Sequence, residues 1–150
     1  MRALTCIAVI VLTACTNGGQ ATPAAGGGGA QIVDVNLTLD GSSQTAAGTA
    51  AGYAPATTNV AVGTMLRFVN TDGFAHTATL ITGATTFPAG SPFTASAQTQ
   101  TGSAISQNWS SGTLAAGASS QTLLVDHAGT YLFGCFFHYG APMRAVIVAH

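Results

Sequence analysis

Lysine and glutamate are missing from this 150-residue chain, and the other charged residues are scarce: Arg2, Arg67 and Arg144 stand against Asp34, Asp40, Asp72 and Asp126. Charged residues make up 5% of the chain, where an ordinary soluble domain has about 25%. Three arginines cannot build a basic patch, which excludes nucleic-acid binding by phosphate neutralisation. A chain so poor in charge also lacks the repulsion that holds a charge-driven disordered segment open. Long apolar runs are missing too: Cys6 to Leu12 is far short of the about 20 residues that span a bilayer.

What is present is Gly, Ala, Ser and Thr around a modest apolar set. Of the 47% hydrophobic content, 28 residues are Ala, and only 33 are Leu, Ile, Val or Phe. A folded part of about 120 residues with that set can still bury one core. Small and β-branched residues with frequent turn formers suit short strands better than long helices.

The chain opens with a short positive start, Met1-Arg2, and the apolar run Cys6–Leu12, which reads as a secretory signal. The run ends in Leu12-Thr13-Ala14-Cys15, which resembles the bacterial lipoprotein signal. The resemblance implies removal of residues 1–14, acylation of Cys15 and an extracytoplasmic, membrane-anchored protein. The alternative is an ordinary signal peptide cut near Ala14. Thr16, not Asp, follows Cys15, which in an organism with two membranes implies no inner-membrane retention signal. The rest of the segment 15–30, with Gly26 to Gly29 in a row, reads as a flexible linker with a reach of roughly 20 Å. Once Cys6 is removed and Cys15 acylated, Cys135 is the only thiol left in the folded domain. An exported domain with one unpaired Cys has no disulfide to form, so that thiol is a candidate for other chemistry.

Residues 31–150 read as strands. Val33, Val35, Leu37 and Leu39 alternate with Asp34, Asn36, Thr38 and Asp40, the pattern of a half-buried strand. Asn59 to Asn70 gives a further run broken by a turn at Gly63-Thr64, and Asn70 to Gly73 is turn chemistry before a short strand at Thr77–Ile81. The segment 83–120 lacks periodicity and is expected to form long loops with one or two short strands or a helical turn, docked by Phe87, Phe93, Ile105 and Trp109. Strands are expected again at Ser120–Asp126, at Thr130–Cys135 with Tyr131, Phe133 and Cys135 on one face, and at Ala145–Ala149. Six to eight strands at this spacing suggest an all-β antiparallel sandwich.

The chemistry concentrates in Gly134-Cys135-Phe136-Phe137-His138-Tyr139-Gly140-Ala141-Pro142-Met143. A thiolate, an imidazole and a thioether lie on one loop between two strands. Two nitrogens and one thiolate in a trigonal arrangement with a long axial Met make a blue-copper site. The loop supplies one His, so a second must come from elsewhere, and His76, at the exit of the Asn70–Gly73 turn, is the candidate. His127 in a turn and His150 at the terminus read as surface histidines.

These segments, Val62 to His76 and Gly129 to Val148, resemble the cupredoxins of the plastocyanin/azurin family. The resemblance implies a Greek-key β-sandwich with one mononuclear copper ion near one end. It carries over His76, Cys135 and His138 as equatorial ligands and Met143 as the axial ligand. Thr77 follows His76 where plastocyanin-like members usually have Asn.

The function implied is one-electron transfer, with redox proteins such as cytochromes or copper oxidases as partners. The edge of His138 is the expected electron port, ringed by Phe74, Tyr139, Gly140, Ala141 and Pro142. After Cys15 the formal charge is −2, too little to steer a partner over distance. A copper storage or delivery module is the alternative function. A multicopper enzyme fails for want of histidines, and a zinc-loaded site would also suit these donors.

Overall fold

The computed structural model describes residues 31–150; the expected signal segment 1–14, the expected lipidation site Cys15 and the expected linker lie outside the described residues. Among the described residues ten strands, of two to fourteen residues, form two sheets. In chain order they are β1 (Ile32–Thr45), β2 (Gly48–Ala54), β3 (Thr57–Val60), β4 (Met65–Asn70) and β5 (Thr79–Ile81), then β6 (Gln100–Thr101), β7 (Ser110–Ser111), β8 (Leu123–Leu124), β9 (Gly129–Gly134) and β10 (Arg144–Ala149). One sheet runs β2-β1-β4-β8 and the other β3-β10-β9-β5-β7-β6.

The expected alternation holds where apolar residues are large. In β4, Leu66 and Phe68 are fully buried while Met65, Arg67 and Val69 are less so. They meet Val35 and Leu37 of β1, Leu123 of β8, and Phe133 and Ile147 of the opposite sheet in one core cluster. Phe68 is its hub, with ring centroids 5.3 Å from both Trp109 and Phe133 and 6.1 Å from Tyr53. Truncating it to Ala would cost about 3–5 kcal/mol, because transfer and cavity terms add. Leu39, expected on the buried face, is exposed. The β1–β2 register breaks between Leu37 and Ser42, and an irregularity of that kind re-aims the side chains beyond it.

The sandwich is not purely antiparallel, as the alternation had suggested. β1 runs parallel to β4, and β3 runs parallel to β10. The reason is a change of sheet at Ala54-Pro55-Ala56: β2 belongs to one sheet and β3 to the other, so the chain re-enters alongside strands of the same direction.

The segment 83–120 carries a single 3-10 turn at Ala95–Gln98 and the two-residue strands β6 and β7. Ile105 and Trp109 dock it into the main core. Phe87 and Phe93 pack on a second cluster formed by Ala47, Ile81, Leu132, Tyr139 and Val146. The four apolar residues that stood out in a patternless segment are thus its anchors. Its remaining task is to hold His76.

Candidate metal centre

β5 and β9 are antiparallel neighbours, with Thr79 opposite Gly134. The residues just before β5 therefore lie beside those just after β9, which brings His76 and Thr77 next to Cys135. β9 and β10 pair from Gly134–Arg144 onward, and the loop 135–143 between them is closed at its neck by the Cys135 amide donating to the Met143 carbonyl at 3.0 Å. Inside it, the amides of Ala141 and Met143 both donate to the His138 carbonyl, at 3.0 and 3.2 Å. His76 is fixed from the other side. Its amide donates to the Leu114 carbonyl at 3.0 Å and its carbonyl accepts the Leu114 amide at 2.8 Å. A β-bridge to the long middle segment thus positions this histidine.

The donor atoms converge. His76 Nδ1 lies 3.1 Å from His138 Nδ1, and Cys135 Sγ lies 3.8 Å from the former and 3.6 Å from the latter. Metal bonds of about 2.0 Å to nitrogen and about 2.3 Å to sulfur put the donors of a trigonal ion about 3.5–3.7 Å apart, close to the edges of this triangle. His76 Nε2 faces the Asp72 carboxylate at 3.1 Å. A carboxylate only accepts, so the proton of neutral His76 sits on Nε2 and Nδ1 offers a lone pair inward. A metal ion held between these groups would replace the contact between the two ring nitrogens with two nitrogen–metal bonds. Among the described residues this is the one group of three metal-ligating side chains, and it is positioned to hold a metal ion.

His76 and Cys135 are wholly buried, while His138 is partly exposed. Burial holds the His138 imidazole below the usual histidine range; the facing His76 ring adds to this and Asp72 opposes it. The hydrogen bond from His76 holds the Asp72 carboxyl below its ordinary value, helped by the amides of Gly73 and Leu39. Both directions favour the metal-ready forms, neutral imidazole and ionised carboxylate.

Thr77 joins the two ligand loops. Its amide points to Cys135 Sγ at 3.4 Å, and its hydroxyl oxygen accepts the Phe136 amide at 2.8 Å. Its carbonyl accepts the Tyr53 hydroxyl at 3.0 Å.

Met143 is fully buried in the same cluster as Cys135. β2 supports it: Ala51 bridges to Met143 and donates its amide to the Pro142 carbonyl at 2.9 Å. Gly52 comes next, at φ +73°, and a Cβ there would lie 2.5 Å from Met143 Cγ. Neither Gly52 nor Asp72 stood out in the sequence as part of the site. The only hint for Asp72 was its place four residues before His76.

The expected docking ring needs a correction. Phe74 is 63% exposed, and Gly140 and Ala141 are exposed with Pro142 partly so. Tyr139 is 2% exposed and does not belong to the ring. Its side chain packs on Gly134 and Phe93, Arg144 stacks over it at 4.0 Å, and its hydroxyl donates to the Pro88 carbonyl. Phe137, 41% exposed with its ring 6.2 Å from that of His138, stands at the surface instead.

A family model described as copper binding proteins, plastocyanin/azurin family, matches residues 41–150. No curated protein matches the sequence. Among solved structures, the chain is similar to a purple cupredoxin from Nitrosopumilus maritimus, with 18% identity over 78% of this chain and 98% of that one and a TM-score of 0.51. It is similar to auracyanin from the photosynthetic bacterium Roseiflexus castenholzii, with 21% identity over 82% and 99% and a TM-score of 0.50. It is also similar to a mutant plastocyanin of a fern, with 19% identity over 79% and 100% and a TM-score of 0.50. At these identities the likeness is one of fold.

Proposed function

The chain belongs to the copper-binding plastocyanin/azurin family, and from that premise we propose that it is a one-electron carrier tethered outside the cytoplasm by a lipid on Cys15. Copper is its cofactor. In this reading His76, Cys135 and His138 are the equatorial ligands and Met143 is the axial one. The observation that carries it is the triangle of two imidazole nitrogens and one thiol sulfur with edges of 3.1, 3.6 and 3.8 Å.

Copper bound there supplies a Cu(II)/Cu(I) couple. The chain's own residues keep its donors still between the two states. His76 is bridged to Leu114, Cys135 is tied to Met143 and Thr77, and the His138 carbonyl accepts two amides of its own loop. Donors held this way need little rearrangement when charge changes. The Thr77 amide, aimed at the thiolate, withdraws electron density from sulfur and tunes the site. Buried Phe133 and Met143 exclude water. Only His138 reaches the surface among the three, and so it is the port for the electron. Phe74, Gly140, Ala141 and Pro142, joined by Phe137, form the apolar face on which a redox protein such as a cytochrome or copper oxidase docks.

Cu(II) added to the full-length exported chain should give an intense visible thiolate-to-copper band that bleaches on reduction, and Cys135→Ser should abolish it. A colourless Cu(II) protein, or a band that survives Cys135→Ser, would refute the reading.

A further inference from the structure

His76 is held from both sides, and its outer partner carries a charge. Nδ1 faces Cys135 and His138, while Nε2 lies 3.1 Å from Asp72 Oδ2. The imidazole is completely buried and the carboxylate side chain is only 18% exposed. That carboxylate is built into the loop. Oδ2 also accepts the Leu39 amide at 3.1 Å, and Oδ1 accepts the Gly73 amide at 2.6 Å. The Asp72 amide donates to Asn70 Oδ1 at 3.0 Å, and Asn70 Nδ2 donates to the carbonyls of Phe74 and Leu114 at 2.7 and 3.0 Å. Leu114 is the residue that bridges the His76 backbone.

We propose that Asp72 is a positioning residue for His76 whose negative charge favours Cu(II) over Cu(I) and so lowers the reduction potential of the site. The inference rests on the copper reading above. A carboxylate that accepts the outer N–H of a ligating histidine fixes the ring's tautomer and orientation and makes its inner nitrogen a stronger donor. The charge count points the same way. The Cys135 thiolate and the Asp72 carboxylate together balance Cu(II), whereas Cu(I) leaves one negative charge uncompensated near a buried ring. The oxidised state is the one that gains.

Asp72→Asn keeps the shape and one acceptor oxygen but removes the charge. Loss of such an outer partner weakens metal binding about 10–100-fold. Here the loss should fall on Cu(II), and each tenfold by which Cu(II) weakens more than Cu(I) raises the potential by about 59 mV. The expected result is a potential higher by at least that much, with the visible band retained. Thr71→Ala is the structural control. It removes the hydroxyl that donates to the Leu37 carbonyl from the same loop, at 3.2 Å, and leaves the carboxylate in place. It should lower thermal stability without moving the potential.

An unchanged potential in Asp72→Asn, or an equal shift in Thr71→Ala, would overturn the proposal. Should Asp72→Asn not accumulate, the wild-type Cu(I) protein decides by NMR. A downfield, slowly exchanging His76 Nε2–H proton is expected, and a rapidly exchanging one overturns the assignment. A wild-type chain without any thiolate band would instead refute the copper reading itself, and this inference with it.

Discussion

The Thr77 hydroxyl oxygen accepts the Phe136 amide proton at 2.8 Å, so the residue after one histidine is tied to the residue after the cysteine. Asn usually occupies that position in plastocyanin-like proteins. Thr is shorter, yet the closeness of the β5 lead-in to the end of β9 lets a hydroxyl span the gap. The same residue sends its amide to Cys135 Sγ at 3.4 Å. One side chain and its own backbone therefore connect both ligand loops.

Thr77→Val should break this tie and leave the half-buried Phe136 amide without its partner, at a cost of about 1–3 kcal/mol. In a domain of this size that lowers Tm by roughly 3–10 °C. Thr77→Ser keeps an acceptor and should recover most of the loss. Thermal melts of the two variants, in the same metal state, check it; equal Tm values would mean the hydroxyl is dispensable.

Gly52→Ala should disturb the site from a strand that carries no ligand. A Cβ at φ +73° would sit 2.5 Å from Met143 Cγ and 3.1 Å from the Thr38 carbonyl oxygen. Backbone strain and overpacking together cost about 2–4 kcal/mol, and relief requires Met143 to move. The variant should melt earlier and show an altered visible spectrum. Met143→Leu, by contrast, removes the thioether while leaving His76, Cys135 and His138 alone. It should keep the main band and raise the potential. Identical spectra for Gly52→Ala and the parent would show that β2 does not position the methionine.

The tail loop is legible in the sequence because Cys135, His138 and Met143 share nine consecutive residues, and a short loop between paired strands leaves them few ways to avoid meeting. His76 is legible through its turn. Gly52 is not, because β2 buries small residues such as Ala50 and Ala51 and shows no large apolar alternation. Asp72 reads as one more turn former, and its contact with His76 exists only once the loop folds back. The Leu114 bridge is hidden for a different reason: a backbone pairing leaves no mark on side-chain pattern.

Asp126 links the middle segment to the turn before β9 and should contribute to the acid response. The Ser106 hydroxyl, helped by His127 and the Ser106 amide, lowers its pKa from 3.8 to about 2. A carboxylate depressed in the folded state stabilises above its unfolded pKa and loses that contribution as pH falls through the folded value. The stabilisation should be fully present above about pH 4 and vanish toward pH 2. Asp126→Asn lacks it, so the Tm difference between parent and variant should be largest near neutrality and close across that window. A difference independent of pH would rule the carboxylate out as its source.

Among the described residues, Arg67, Arg144, Asp34, Asp72 and Asp126 are each engaged within the fold. Arg67 forms a two-pronged pair with Asp34 at 2.7 and 2.8 Å, Arg144 lies on Tyr139, Asp72 serves His76, and Asp126 serves Ser106. Phe137, with its ring 6.2 Å from that of His138, is exposed, as are Phe74, Gly140 and Ala141, and the proposed docking face is built from these residues. Association driven by an apolar patch gains no long-range field for salt to screen, whereas electrostatic steering accelerates association about 10–1000-fold and collapses with ionic strength. The electron-transfer rate with a cognate cytochrome should therefore change by less than roughly threefold between low and high salt. Phe74→Asp should slow it by more than that, through desolvation of a charge placed on the proposed docking face. A steep fall with added salt in the parent protein would mean that a charged surface, not this apolar one, meets the partner.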